Sequence, residues 1–178
     1  MKTRRSRASA SSVFAGYLVL FLALSGCVNS FAASFDGKVV GVTDGDTILV
    51  LDSQHMQHKV RLAGIDAPES KQAFGSRSRK NLADLVFGKA VIIEYTKHDR
   101  YGRVVGKVLW NGIDVDLQQI ESGLAWHYKQ YAKEQSSEDR QRYAKAEDKA
   151  RAAHLGLWQD REPVPPWEWR RSLKGKAY

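Results

Sequence analysis

Residues 58–65, HKVRLAGI, alternate in character: Val60 and Leu62 are apolar, Lys59 and Arg61 are charged, and Gly64 continues the apolar register. A period of two marks a half-buried strand, because successive side chains leave the backbone on opposite faces. The register predicts Val60 and Leu62 in a core and Arg61 on the other face. Upstream, residues 35–43 (FDGKVVGVT) and 47–51 (TILVL) are β-rich, with Asp44-Gly45-Asp46 between them. A turn at Asp52-Ser53-Gln54 joins the second run to the third. Downstream the period changes. In residues 76–87 (SRSRKNLADLVF), Leu82, Leu85 and Val86 fall at i, i+3, i+4, and Gly88 stops the helix. Residues 89–96 and 104–110 return to strand character around a polar segment, 97–103, and Asn111-Gly112 signals a turn. A short helix is predicted over 114–122, ending at Gly123. A long charged helix follows over 137–154, with Ser136 or Ser137 as N-cap, Gly156 past its end, and a narrow stripe of Tyr143, Ala146, Ala150 and Ala153.

Three strands, a helix, two strands and then helices is the order of a five-stranded OB-fold, a small Greek-key barrel, here with about three helices in an α+β arrangement. The folded domain is expected over 35–158, after a linker at 28–34. Residues 159–178 form a basic, aromatic tail holding three of the four prolines. It is expected to be irregular.

The N-terminus carries a targeting pattern. Lys2, Arg4, Arg5 and Arg7 precede an apolar run of 12 residues, 13–24 (VFAGYLVLFLAL). That run is shorter than the roughly 20 residues of a membrane span and suits a secretory signal. Leu24-Ser25-Gly26-Cys27 is similar to a bacterial lipobox, which makes Cys27 a candidate lipidation site and 1–27 the signal peptide. Ser30-Phe31-Ala32 offers plain cleavage as the alternative. Both readings export the protein, either as a lipoprotein anchored in the envelope or in periplasmic or secreted form. Cys27 is the single cysteine, so no internal disulfide can form. The net charge of +8 includes those four N-terminal bases; without them 24 basic residues face 20 acidic ones. The remaining excess is a weak pointer to an anionic partner.

Two acidic clusters stand at strand ends: Asp44-Gly45-Asp46-Thr47 and Asp66-Ala67-Pro68-Glu69. Hard cations such as Ca²⁺ take carboxylate and carbonyl oxygens. Asp46 and Asp66 can share one ion, with Asp44 as an outer partner. Alone, each cluster is also ordinary turn chemistry. Arg61 and Arg103 give the clusters a further meaning. Phosphoryl transfer spreads negative charge over non-bridging oxygens, which a planar guanidinium meets bidentately. Glu69 then remains as the carboxylate free to orient or deprotonate water. Tyr128 and Tyr131 can stack on bases or pack against the fold. His55, His58, His98, His127 and His154 have no zinc-like spacing.

The combination Asp44-Gly45-Asp46-Thr47, Arg61-Leu62, Ile65-Asp66-Ala67-Pro68-Glu69-Ser70 and Asp99-Arg100-Tyr101-Gly102-Arg103 resembles the staphylococcal-nuclease family in order and spacing. Gly123-Leu124-Ala125 and Leu155-Gly156-Leu157-Trp158 extend the resemblance over about residues 35–158. It implies a calcium-dependent endonuclease acting on DNA or RNA and leaving 3′-phosphates. Asp46, Asp66 and the Ala67 carbonyl would be the metal ligands. Arg61 and Arg103 would hold the scissile phosphate, Glu69 would be the general base, and Tyr101 would lie near the nucleotide phosphate. Ala67 stands where a Thr is found in the family, a change that a backbone-carbonyl ligand survives. The loop after Gly123-Leu124-Ala125 differs from the family's aromatic loop and is shorter. Family members are usually monomers. The alternative is a non-catalytic nucleic-acid-binding OB-fold module, and a structural lipoprotein is a third reading. The presence of Glu69 beside two phosphate-binding arginines favours catalysis, since a spare carboxylate would repel a nucleic-acid backbone.

Overall fold

The computed structural model describes residues 33–175. The signal segment, Cys27 and most of the 28–34 linker lie outside the described residues. The elements are β1 (Ala33–Asp44), β2 (Thr47–Asp52), β3 (Gln57–Leu62), β4 (Ile65–Asp66), α1 (Gly75–Val86), β5 (Ala90–His98), β6 (Val104–Trp110), β7 (Ile113–Asp114), α2 (Val115–Glu121), β8 (Trp126–His127), α3 (Ser137–Ala152) and α4 (Pro166–Gly175). Short 3₁₀ turns cover Lys129–Glu134 and Gly156–Gln159.

The five long strands close into a barrel. Their order is β3-β2-β1-β5-β6, and β3 also pairs with β6 in parallel. The long first strand makes closure possible. Its first half pairs with β5 and its second half with β2, with register shifts between Val39 and Gly41 and between Val42 and Asp44. Such irregularities bend a strand and sharpen its twist. Val60 and Leu62 lie in the core while Arg61 leaves the other face, as the alternation in β3 predicts. Val39, Ile48, Val50 and Ile93 fill the barrel, closed by Leu82 and Val86 from α1 and by Ile120 from α2.

Two features depart from the sequence reading. The run 58–65 is not one strand. It ends at Leu62, turns at Gly64 with a positive φ of 70°, and restarts as β4, which pairs with β8 in a separate two-stranded sheet. That break carries Asp66 out of the barrel wall. The tail is also not irregular, since Pro166–Gly175 is helical. Proline suits a first helical turn because its missing N–H needs no partner there. The helix is docked by Trp167, whose ring meets Trp126 edge-on at 5.7 Å and stacks on Tyr128 at 5.3 Å and 8°. Trp126, Ala150, Leu157 and Trp158 form the small second core beneath it.

Candidate active site

The turn between β1 and β2 sets Asp46. Asp44 Oδ1 accepts from the Asp46 amide at 3.1 Å, a local Asx turn. Gly45 is held from behind by Gln119, whose Nε2 donates to the Gly45 carbonyl at 2.6 Å. Any side chain at Gly45 would collide with Ser78 Oγ and the Ala67 methyl. Asp46 then reaches across the turn, where its Oδ2 accepts from the Ala67 amide at 2.7 Å. The two acidic clusters are thus tied together directly.

Asp66 is buried at the end of β4, and Arg61 stands between it and Asp46. Arg61 Nη2 lies 2.9 Å from Asp66 Oδ1 and 3.2 Å from Asp46 Oδ2, while Nη1 donates to the Leu62 carbonyl at 2.8 Å. Burial works against charge on Arg61, yet the aspartates hold it above its ordinary range. Burial drives the Asp46 carboxyl up to about 7, Arg61 opposes the rise, and the charges of Asp44 and Asp66 add to it. The Asp46 and Asp66 oxygens that face each other are bridged by Arg61 Nη2; carboxylate oxygens, with no imidazole or thiolate among the residues assigned, are the ligand type of a hard cation. Among the described residues no group of three or more His, Cys, Asp or Glu side chains forms a ready-made cage. An ion here would therefore complete its shell with backbone carbonyls, such as that of Ala67, and with water.

Glu69 lies three residues beyond Asp66 on the loop into α1. Its carbonyl accepts from the Gln72 amide at 2.8 Å and its amide donates to Gln72 Oε1 at 3.1 Å. Gly75 allows the loop to close, because a Cβ there would lie 2.0 Å from the Glu69 carbonyl oxygen. The Glu69 carboxylate faces outward and pairs with Arg170 of α4, with Nη1 to Oε1 at 2.7 Å. The same guanidinium meets Asp66 Oδ2 through Nη2 at 2.8 Å.

The remaining predicted residues are less tightly gathered. Parallel pairing of β3 and β6 sets Val105 beside Arg61, and Arg103 lies just before β6, two residues ahead of Val105. Its Nε donates to Asp99 Oδ2 at 2.7 Å, and it is not in contact with Asp46, Asp66 or Glu69 among the described residues. Tyr101 is exposed, with Arg100 and Arg103 over its ring. Tyr128 and Tyr131 meet edge-on at 4.9 Å, and the face of Tyr128 is covered by Trp167. Trp126, of the same segment, is buried, so packing accounts for that aromatic. Sequence reasoning missed Arg170, Trp167 and Gln72. A Trp-Glu-Trp-Arg-Arg run in a proline-bearing tail was the available signal, but it has no periodic partner to reveal where it docks.

Residues 59–160 match the family model described as staphylococcal nuclease homologue, more than half of the chain. The chain belongs to the staphylococcal nuclease family. Its relatives include an uncharacterized endonuclease of Haemophilus influenzae, 39% identical over 157 residues, covering 88% of this chain and 83% of the relative. A micrococcal nuclease of Shigella flexneri is 45% identical over 151 residues, covering 80% and 84%. An uncharacterized endonuclease of Escherichia coli is 42% identical over 139 residues, covering 78% and 86%. For this staphylococcal nuclease homologue, the barrel and the helices around it agree with the family expectation.

Proposed function

We propose that the protein is an exported, calcium-dependent endonuclease that hydrolyses phosphodiester bonds of DNA or RNA. The observation that carries this reading is the convergence of Asp46, Arg61, Asp66 and Glu69 on one face, from two turns of a barrel. It is supported by relatives named as nucleases.

In this reading Asp46, Asp66 and the Ala67 carbonyl would hold Ca²⁺, which supplies Lewis-acid stabilisation of phosphate charge when bound. Arg61 already sits charged between the acids, and its planar fork presents donors to a phosphate oxygen. Arg103 can swing its remaining donors from Asp99 to the phosphate, from the end of the turn that leads into β6. Glu69 is exposed enough to meet a water molecule and acts as the base. The water oxygen forms a bond to phosphorus as one water proton passes to Glu69, and the P–O5′ bond breaks with the 5′ oxygen taking a proton from solvent water and leaving as an alcohol. The product keeps the 3′-phosphate. Tyr101 lies on the rim where the substrate backbone enters, and Tyr128 and Tyr131 line the base side. Cys27 is the proposed lipid-attachment site, anchoring a monomeric enzyme at the envelope.

The test is cleavage of single-stranded DNA by the purified protein with Ca²⁺ and with excess chelator. Cutting that vanishes with chelator is the expected result. Binding without cutting under both conditions would instead mean a nucleic-acid-binding module.

A further inference from the structure

We propose that Arg170 is a positioning residue of the active site, carried in by the C-terminal helix to hold Glu69 and Asp66 in one fork. The inference rests on the reading of Glu69 as the base. It extends the hydrolytic centre from the barrel to a segment 101 residues further along the chain.

Glu69 needs such a partner. It stands on a loop, its side chain is 40% exposed, and among the described residues its carboxylate pairs with Arg170 alone. A glutamate free to rotate samples several rotamers, whereas a general base must hold one oxygen within hydrogen-bond reach of its water. The fork supplies that hold. Nη1 takes Glu69 Oε1 at 2.7 Å, which leaves Oε2 without a hydrogen-bond partner among the described residues and open to a water molecule. Nη2 takes Asp66 Oδ2 at 2.8 Å, opposite the oxygen that Arg61 engages. A single planar group therefore sets the distance between the base and a carboxylate of the expected metal site. Lysine, a point charge, cannot make both contacts with the same geometry.

An isolated exposed ion pair contributes little and would carry no argument. Here the tail is attached at three further places. Gln72, whose Oε1 accepts from the Glu69 amide, donates through Nε2 to the Val164 carbonyl at 2.5 Å. The backbone and the side chain of Glu69 are thus both tied to the tail. Trp167 stacks on Tyr128 and meets Trp126 edge-on, and Pro166 is buried. Arg170 lies one helical turn beyond Trp167, so the aromatic dock aims the guanidinium at the two carboxylates.

The experiment compares Arg170→Gln and Arg170→Lys in the full chain, each alone and with Glu69→Gln. Readouts are kcat and KM on single-stranded DNA with Ca²⁺, thermal melting, and Ca²⁺ binding by calorimetry. Arg170→Gln is expected to lower kcat about 10–100-fold, as loss of an orienting partner typically does, while KM and melting stay close to the parent. Ca²⁺ affinity should shift less than kcat. Arg170→Lys, which keeps the charge and so guards against misfolding, should fall between the two. In the Glu69→Gln background the same substitutions should cost little more, because residues acting as a unit are not additive. Parental or raised turnover in Arg170→Gln beside an impaired Glu69→Gln overturns the assignment and marks the tail as idle or as a cover over the site. A full Arg170→Gln loss persisting without Glu69 overturns it as well. Parental turnover in Glu69→Gln removes the base reading first, and the role of Arg170 falls with it.

Discussion

Arg61 donates through Nη2 to Asp66 Oδ1 at 2.9 Å, five residues along the chain and one change of sheet away. The contact exists because β3 ends at Leu62 and the Ala63-Gly64 turn folds the chain back, bringing Asp66 level with the arginine. Arg61 also serves Asp46 and the Leu62 carbonyl, so the guanidinium is held in one orientation, with Nε not engaged among the described residues.

Arg61→Lys should therefore be severe despite its unchanged charge. An ammonium reaches one of these partners at a time and offers no planar pair of donors to a phosphate. We expect kcat/KM on single-stranded DNA to fall at least about 100-fold, as for loss of a preorganised donor. A rate near the parent's would reduce Arg61 to a structural counter-ion for Asp46 and Asp66.

Glu69→Gln keeps the shape of the side chain and removes its basicity. Turnover should drop about 10²–10⁴-fold, the usual contribution of a positioned general base, while DNA binding measured by anisotropy persists. Unchanged turnover would take Glu69 out of the mechanism.

Asp116 offers a test of stability away from the site. Its buried carboxyl accepts from the Ala63 amide at 2.9 Å and the Val108 amide at 3.1 Å, pinning the turn after β3 to β6. Burial, with the charge of Asp114 adding, raises this carboxyl well above its ordinary range; the two amides and Lys107 pull the other way. A carboxyl raised on folding binds its proton more tightly in the folded state. Its contribution is complete below the ordinary pKa of about 4 and declines as pH rises toward the folded value. Asp116→Ala removes this acceptor from both amides; the Ala63 amide keeps the Gly106 carbonyl at 3.0 Å, so the cost falls mainly on the Val108 amide, and an amide left unpaired costs about 1–3 kcal/mol. The loss in urea midpoint should be widest near pH 4 and narrow toward neutrality. A gap that widens with pH would show that Asp116 is charged in the fold.

Cys27→Ser tests the envelope anchor. The variant should move from the membrane pellet to the soluble exported fraction on ultracentrifugation. Continued sedimentation with membranes would place the anchor elsewhere.

The barrel is legible in local pattern because strand and helix periods are local quantities. Val60 and Leu62 alternate with Arg61, Leu82 and Val86 repeat at helical spacing, and Gly88, Gly123 and Gly156 follow the helices. Folding buries those same side chains. Residue chemistry likewise nominates Asp46, Asp66, Arg61 and Glu69, since carboxylates at strand ends and an arginine opposite a core face are visible without coordinates. The partner each side chain chooses is not visible. Nothing near Glu69 in sequence announces Arg170, and a tail with three prolines reads as irregular until Trp126 and Tyr128 provide the surface on which Trp167 lands. Burial of that aromatic face, together with the charge of the Glu69 and Asp66 carboxylates that Arg170 meets, orders α4. Both terms come from elements distant in sequence, so only the folded barrel could decide them.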